Sequence, residues 1–457
     1  MSGATGLFPG RRDVRIGVTG LARAGKTAFL TSVAANLLAQ GGNPSALPAL
    51  AGKPFRATIA PAGADALPRF DYRRHLAALA ADPPGWPERT GAVSLLALDL
   101  DRPRDGLLGS VLGSRTVRLE FLDYPGEWLL DLPLLGLAFS PWSTAALRRL
   151  ESAEAAPAAR AFLSFVRGLP ERAPEDEALA ATGHRLYRAA LLRLRDEAGF
   201  SFLQPGRFLM PAPGPEPPWA SFFPLPGDSP LAGLLAARYD AYRDAVRREL
   251  VAPSFGRVDR LVVLADVLSA LHVGGAAFAD MAGALSGVAQ TLSFRRPWTD
   301  AIPFLAPLLS ALSLPAWLTP GGIRRVAFAA TKADHVADRQ RGNLAALVRS
   351  LTRLPAGAEE AATAAFAIAA VRCTEDFVWT LEGRNVSAVR GRVLGTAAMT
   401  RSYPGEVPDR PPDAGFWAHD FLALPDFEPA RLPADGRLGV PQIGLDALLA
   451  FLLEDVL

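Results

Sequence analysis

Lysine and cysteine are almost absent from this chain of 457 residues. It contains 48 basic residues, yet the only lysines are Lys26, Lys53 and Lys332, and the rest are arginines. The single cysteine, Cys373, excludes an internal disulfide, and together with only five histidines it predicts no structural zinc cluster. The net charge is only +2, and no basic run is interleaved with aromatic residues. We therefore expect no nucleic-acid partner.

An uninterrupted membrane-spanning run is also missing. The nearest candidate, Ala301 to Ile323, is uncharged, strongly apolar and nearly long enough to cross a bilayer. Four prolines interrupt it, namely Pro303, Pro307, Pro315 and Pro320. Each would break a membrane helix, so we expect burial in the fold, or a shallow contact with a membrane or a partner. Residues 1–12 lack the apolar stretch of a signal peptide, which favours a cytoplasmic location, with peripheral contact at the inner membrane as the alternative.

Two of the three lysines lie in motifs that bind nucleotides. Gly20–Thr27 fits the phosphate-loop pattern G-x-x-x-x-G-K-[ST], between a predicted strand at 15–19 and a predicted helix at 28–40. In such a loop the amides surround the phosphates, the lysine reaches the β- and γ-phosphates and assists catalysis, and the threonine hydroxyl binds Mg²⁺. The residues assigned to this part of the nucleotide site are Ala22, Arg23, Ala24, Gly25, Lys26, Thr27 and Ala28. The alternative is a chance match in a chain rich in glycine and alanine.

The second of these lysine-containing segments, Thr331-Lys-Ala-Asp334, resembles the N-K-x-D element that recognises guanine. Asp334 can accept two hydrogen bonds from guanine, which adenine does not offer, and a buried acceptor left unpaired discriminates strongly. The alkyl stem of Lys332 would cover the ring, and Thr331 stands in place of the usual asparagine. The alternative is a charged helix start after a strand. The next residue, His335, is also assigned to the nucleotide site.

Asp123-Tyr-Pro-Gly126 fits the D-x-x-G pattern that senses the γ-phosphate, and it follows a predicted strand at 116–122. Asp123 would hold Mg²⁺ through water, and the amide of Gly126 would meet the γ-phosphate. Such turns are common, so the motif gains weight only from its position after the phosphate loop. The next residue, Glu127, stands where many GTPases place a glutamine that orients the attacking water. A carboxylate there predicts slow unassisted hydrolysis, and a solvated turn glutamate is the alternative.

Two further assignments depend on chain order rather than on a motif. Arg372 and Cys373 follow the predicted strand 367–371, where a loop amide would meet guanine O6. For the threonine that closes on Mg²⁺ and takes part in catalysis, Thr90 is favoured over Thr58, because Thr90 directly precedes the next predicted strand. A plain loop threonine is the alternative. Trp86, shortly before it, is assigned to the nucleotide. Arg89 or Arg23 could neutralise charge in the transition state, although a solvated surface arginine is the default in so arginine-rich a chain.

The distribution of predicted elements indicates an α/β fold: a P-loop NTPase core with a mostly parallel sheet and a large helical insertion. Continuous apolar runs such as 261–265 and 326–330 are typical of central parallel strands. Helical spacing dominates residues 145–169, 175–198 and 231–251. The expected division is 1–126 and 256–380 for the two parts of the core, 127–255 for the insertion, and 381–457 for a C-terminal extension that packs on the core.

These residues together resemble the YcjX-like family of bacterial P-loop GTPases, which is associated with stress responses. The likeness includes 18–29, 121–128 and 328–335, and it continues through 402–407 to Phe416-Trp417. The family implies a Ras-like core, binding of GTP and GDP, a switch between the two states, and a membrane-associated partner. The segment formed by residues 294–322 is longer than we expect for a member of this family.

Three functions follow from these residues. The first is Mg²⁺-dependent hydrolysis of GTP, with Lys26 and Thr27 at the phosphates and Asp334 at guanine. The second is a regulatory GTP- or GDP-binding module with negligible turnover, which acts through a membrane-associated partner and the helical insertion. The third is an ATPase in which the match at 331–334 is accidental.

Overall fold

The computed structural model describes residues 11–457 with several gaps. Nothing is described at residues 22, 62–66, 89–92, 104–114, 153, 211–216, 252–257, 294–322, 353–361, 397, 419–423 and 433–435. Structural statements below refer to the described residues.

A seven-stranded sheet forms the centre of the described structure. Its strands are β1 Arg11–Gly20, β2 Arg56–Ile59, β3 Ser94–Arg102, β4 Arg115–Asp123, β5 Arg260–Ala265, β6 Arg325–Ala330 and β7 Ala362–Ala367. They lie in the order β2-β3-β4-β1-β5-β6-β7. Strands β4, β1, β5, β6 and β7 are parallel, while β3 is antiparallel to β4 and β2 to β3. This confirms the predicted mixed α/β architecture with a mostly parallel sheet.

Helices cover both faces of this sheet. Their bounds are α1 Lys26–Gln40, α2 Tyr72–Leu79, α3 Gly126–Leu129, α4 Phe139–Leu150, α5 Ala156–Arg167, α6 Glu177–Asp196, α7 Pro230–Val246, α8 Val267–Val273, α9 Gly275–Ser293, α10 Asp338–Leu351 and α11 Leu445–Leu453. Because side chains alternate along a strand, Val262 and Leu264 of β5 pack in one buried cluster with Phe29 of α1. Val263 lies in the other cluster, with Leu347 of α10.

Shorter helical turns connect these elements. The 3-10 turns are Pro44–Ala46, Pro48–Leu50, Leu132–Gly136, Gly206–Phe208, Pro218–Ala220, Ala333–His335 and Ala414–Ala418, and a π-helical turn, Arg247–Val251, follows α7. Between β4 and β5 the described chain runs through α3 to α7 and pairs with no other strand. The helical spacing predicted for 145–169 is divided between α4 and α5, because Pro157 occupies the first turn of a new helix.

A second sheet of three antiparallel strands follows the first. Its strands are β8 Thr374–Leu381, β9 Arg384–Arg392 and β10 Met399–Ser402, in the order β10-β9-β8. The expected boundary between residues 380 and 381 therefore lies within β8, one strand of the β8–β9 hairpin.

One strand prediction was misplaced. The strand expected at 367–371 is β7 at Ala362–Ala367, which pairs with β6 up to Ala330 opposite Ala367. Beyond that point the chain leaves the sheet, and Ala369 pairs with Ile443 instead. The sequence from 362 to 371 is alanine-rich throughout, so it contains no contrast that marks where pairing ends.

Three arginines at the amino ends of neighbouring strands hold the C-terminal segment. Arg12 of β1, Arg260 of β5 and Arg325 of β6 converge on Asp455, at 2.9, 2.6 and 3.8 Å respectively. The side chain of Arg260 is only 2% exposed, whereas that of Asp455 is 34% exposed. A guanidinium this deep in the protein needs its carboxylate partner.

We predict that Asp455→Asn lowers the free energy of unfolding by about 2 kcal/mol, because it leaves the Arg260 charge without a partner in the interior. The value is below that of a fully buried pair, since Asp455 is partly solvated. Urea denaturation measures the change. Glu454→Gln is the matched control: Glu454 pairs with Arg325 but is 67% exposed, so its loss costs less than about 0.5 kcal/mol. Equal effects of the two substitutions would contradict the role given to Arg260.

Candidate functional site

The predicted phosphate loop leaves the sheet at the carboxyl end of β1. The amide of Leu21, the second residue of the loop, donates to the carbonyl of Leu264 at 2.9 Å, which ties the start of the loop to the end of β5. Arg23 and Gly25 both have left-handed backbones, with φ of 64° and 75°. Residues of alternating hand turn successive amides toward one side, as in anion-binding loops. Helix α1 begins immediately afterwards, at Lys26.

The phosphate-loop lysine meets the predicted magnesium ligand. Lys26 Nζ lies 3.0 Å from Asp123 Oδ1, and the side chains are 14% and 1% exposed. Lys26 also donates to the carbonyl of Tyr124. Strand pairing explains the meeting, because Val18 of β1 lies opposite Asp123 of β4. Thr27 is half-buried in the first turn of α1. Residues far apart in sequence thus share one edge of the sheet.

Gly126 touches the first glycine of the phosphate loop. A Cβ atom built on Gly126 would lie 1.5 Å from the carbonyl oxygen of Gly20, so no side chain fits there. The amide of Tyr124, two residues earlier, donates to the carbonyl of Val18 at 3.0 Å. The D-x-x-G segment therefore packs directly on the loop that it was predicted to face.

The two predicted base-recognition loops also come together. Asp334 is 2% exposed, and its Oδ2 accepts a hydrogen bond from the amide of Cys373 at 2.8 Å. The hydroxyl of Thr374 donates to the carbonyl of Asp334. Cys373 thus fixes the orientation of the Asp334 carboxylate. The amide of Arg372 donates to Pro441, and the contact of this loop with guanine O6 stays a prediction.

Three residues that sequence reasoning missed complete this region. Asp266, at the end of β5, lies 2.6 Å from Lys332 Nζ. The Phe427 ring packs against His335 with centroids 5.1 Å apart, and its carbonyl accepts a hydrogen bond from the indole of Trp86 at 3.0 Å. Phe427 thereby links two residues that were assigned to the nucleotide. Asn36 of α1 accepts a hydrogen bond from the amide of Val440 at 3.0 Å, which ties the C-terminal segment to α1.

Comparison with known proteins identifies the family of this chain. Residues 14–457 match the profile of the YcjX-like family, DUF463. The chain belongs to this family. It is 34% identical over 467 residues to the Ras-like GTPase YcjX of Escherichia coli (strain K12), covering 98% of this chain and 96% of the relative. It is also 31% identical over 476 residues to the Ras-like GTPase YcjX of Shewanella oneidensis (strain MR-1), covering 98% and 95%. The resemblance inferred from the motifs is confirmed.

Some residues predicted for this YcjX-like site lie outside the described residues. These are Ala22, Arg89 and Thr90, and the same holds for residues 301–322 of the apolar stretch. Thr58, the alternative to Thr90, is exposed on the edge strand β2. Among the helices that the structure describes, none is long and apolar enough to cross a membrane.

The segment that follows the D-x-x-G motif of this YcjX-like chain is held by residues 204–210. A Cβ atom on Gly206 would lie 1.7 Å from the carbonyl oxygen of Glu127. The indole of Trp128 donates to the carbonyl of Met210 at 3.0 Å, and the guanidinium of Arg207 lies over the Trp128 ring. Helix α3 is therefore enclosed between Gly206 on one side and the phosphate loop on the other.

Asp131 is the buried hub of this contact. Its carboxylate accepts hydrogen bonds from the amides of Gly206 and Arg207 and from the Tyr242 hydroxyl, at 2.7, 3.3 and 2.5 Å. Burial raises the pKa of Asp131 to about 6, although the hydrogen bonds act in the opposite direction. Because this pKa is above the unfolded value, the folded protein takes up a proton near pH 6 that the unfolded chain does not.

We therefore predict that protonation of Asp131 adds to the free energy of unfolding as the pH falls through about 6, and that this contribution is lost above that pH. Relative to Asp131→Asn, the wild-type free energy of unfolding rises by about 1 kcal/mol between roughly pH 7 and pH 5. Urea denaturation of both proteins across this range measures it, and the buried histidines cancel in the comparison. Asp240→Asn, which removes an exposed carboxylate from α7, is the control. A difference between wild type and Asp131→Asn that stays constant with pH would contradict the prediction.

Proposed function

We propose that this chain binds guanine nucleotides, hydrolyses GTP to GDP and phosphate with Mg²⁺, and acts as a nucleotide-dependent switch, in keeping with the stress association of its family. The observation that carries the proposal is the convergence of Lys26 with Asp123, and of Asp334 with Cys373, at the carboxyl edge of one sheet. Ligands of open α/β sheets bind at this edge. Two relatives named Ras-like GTPase support the same function.

The proposed organisation follows the expected division of the chain. Residues 1–126 and 256–380 would form a Ras-like core, and 127–255 a helical insertion between the γ-phosphate sensor and the guanine loop. Residues 381–457 would pack on the core as an extension. In support, α3 to α7 lie between β4 and β5 in the chain. From the C-terminal part, Val440 contacts Asn36 of α1, and Phe427 contacts His335 beside the predicted guanine-binding residue Asp334.

At the phosphate end, Lys26 would bind the β- and γ-phosphates, and the amides of the loop would surround the β-phosphate. The hydroxyl of Thr27 would bind Mg²⁺ directly, and the Asp123 carboxylate would hold it through water; Mg²⁺ prefers such oxygen ligands and usually keeps several waters. The Asp123 carboxylate fits this role, because it is almost fully buried and already lies against a cation. When bound, Mg²⁺ neutralises charge on the phosphate oxygens. The amide of Gly126 would report the γ-phosphate to α3.

At the base end, Asp334 would accept hydrogen bonds from guanine N1–H and the N2 amino group. The hydrogen bond from Cys373 holds the carboxylate in place before the nucleotide arrives, so less order has to be gained on binding. Adenine offers no matching donors and would leave a buried carboxylate unpaired. An ATPase is therefore the weaker proposal.

The third lysine provides a matched control for testing nucleotide binding. We predict that calorimetric titration in Mg²⁺ gives binding of GDP and GTP but not of ATP. Lys26→Ala loses the contact with the phosphates and Asp334→Ala the selection of guanine, so both lose most of the affinity for GDP. Lys53→Ala, in a turn outside the site, binds GDP as the wild type does. Equal binding of ATP by the wild type, or tight binding of GDP by Lys26→Ala, would refute the proposal.

Glu127 distinguishes the enzyme from the runner-up proposal, a regulatory module with negligible turnover that acts through a membrane-associated partner. A carboxylate beside the γ-phosphate repels its oxygens, whereas an amide can orient water without that repulsion. We predict that Glu127→Gln raises the single-turnover rate of GTP hydrolysis and leaves the affinity for GDP unchanged. The rate is measured from phosphate release, with and without membranes. Glu151→Gln, which changes an exposed carboxylate that pairs with Arg167, is the control. An unchanged or lower rate for Glu127→Gln would show that Glu127 does not limit hydrolysis.

A further inference from the structure

The end of β5 carries an acidic residue that no nucleotide motif includes. Asp266 follows β5 directly and is 5% exposed at its side chain. Its Oδ1 accepts a hydrogen bond from the amide of Ser269 at 3.1 Å, which caps α8. Its Oδ2 accepts from the Ser269 hydroxyl at 2.6 Å and also lies 2.6 Å from Lys332 Nζ. One oxygen thus accepts from the cap amide, and the other is shared between the Ser269 hydroxyl and the Lys332 ammonium.

Lys332 is held both at its backbone and at its ammonium. Its backbone is left-handed, with φ of 60°, which is rare for a residue with a long side chain. The residues on both sides are tied to neighbouring elements: Thr331 donates to the carbonyl of Ala265, and Ala333 to that of Ile368. The ammonium is held by Asp266, and Ser269 Oγ lies 3.5 Å from it. A lysine held at both ends has lost most of its rotamer freedom before any ligand binds.

The position of the Lys332 side chain determines how a purine base could be bound. The role inferred below for Asp266 rests on the proposed function. In that function the alkyl stem of Lys332 covers the base, while Asp334 binds its edge. We propose that Asp266 is a positioning residue for guanine-nucleotide binding, which acts by holding the Lys332 ammonium so that the stem is already in place. Asp266 itself does not touch the nucleotide.

The ion pair between Asp266 and Lys332 is partly buried, so it is stronger than an ion pair on the surface. Lys332 is 33% exposed and Asp266 almost fully buried, so solvent screens the pair less than it screens a surface pair. Asn at position 266 would keep the cap, because asparagine is as good an N-cap as aspartate. It would remove the charge and the acceptor oxygen that face Lys332. Asp266→Asn therefore separates the positioning role from the structural one.

The first test is the Kd of GDP for the wild type and for Asp266→Asn, measured by calorimetry. We expect the affinity to fall about tenfold, the size of effect produced when one long side chain must be ordered on binding. Asp176→Asn is the matched control: Asp176 is the N-cap of α6, accepting from the amides of Ala178 and Leu179. It should leave the Kd unchanged, and thermal unfolding should detect no large loss of fold in either variant.

The second test is a double-mutant cycle with Lys332→Met, which keeps an apolar stem and removes the ammonium. If Asp266 acts through Lys332, Asp266→Asn changes the Kd by less than about twofold in the Lys332→Met background. The same tenfold loss in both backgrounds would overturn the inference, because Asp266 would then act through α8. An unchanged Kd for Asp266→Asn in the wild-type background would overturn it as well.

The failure of this inference and the failure of the proposed function give different results. If the wild type binds neither GDP nor GTP, the proposed function is wrong, and the positioning role falls with it. If the wild type binds GDP and Asp334→Ala does not, the proposed function stands. The cycle at positions 266 and 332 then decides the positioning role alone.

Discussion

Strand β1 lies between β4 and β5, and its pairing with both determines where the phosphate loop, the D-x-x-G turn and Asp266 lie relative to one another. Val18 is opposite Asp123 on one side and opposite Val262 on the other. Parallel strands in register bring their carboxyl ends to the same edge. A shift of one residue between β1 and β4 would turn the Asp123 side chain to the other face of the sheet and away from Lys26. The buried, nearly continuous apolar sequence of β5 secures the other side of β1.

Two close contacts between a glycine and a backbone carbonyl connect the sheet edge with the helices that follow β4. Gly126 lies against the carbonyl of Gly20, and Gly206 lies against the carbonyl of Glu127. Neither contact contains a side chain that could adjust by changing its rotamer. Gly126, α3 and the segment that Asp131 binds through Gly206 are therefore in continuous contact. In the proposed function, these contacts would connect the γ-phosphate with the helices between β4 and β5.

The sequence was informative wherever chemistry depends on neighbours along the chain. The phosphate loop, the D-x-x-G turn and the segment 331–334 could be read directly, because each motif fixes its own backbone. Asp266, Phe427 and Asp131 could not be found this way. Each acts through a partner 66 to 111 residues away, or farther still for Phe427 and Trp86. An aspartate after an apolar strand is a weak signal, since many helices begin with one. The position of β7 was predicted wrongly for a related reason: the pairing with β6, rather than the residue type, decides where this alanine-rich strand ends.

The unequal use of lysine and arginine follows from where each charge must be placed. Arg12, Arg260 and Arg325 lie at the amino ends of their strands, far from the nucleotide edge, where a planar guanidinium spreads its hydrogen bonds over Asp455 and its surroundings. Lys26 instead contacts the Asp123 carboxylate and the Tyr124 carbonyl with one compact ammonium. The ammonium is a compact charge on a flexible stem, whereas a guanidinium is a rigid planar fork, so the two are not interchangeable in a crowded loop. The scarcity of lysine therefore makes Lys26 and Lys332 more informative, because nearly every other basic residue of the chain is an arginine.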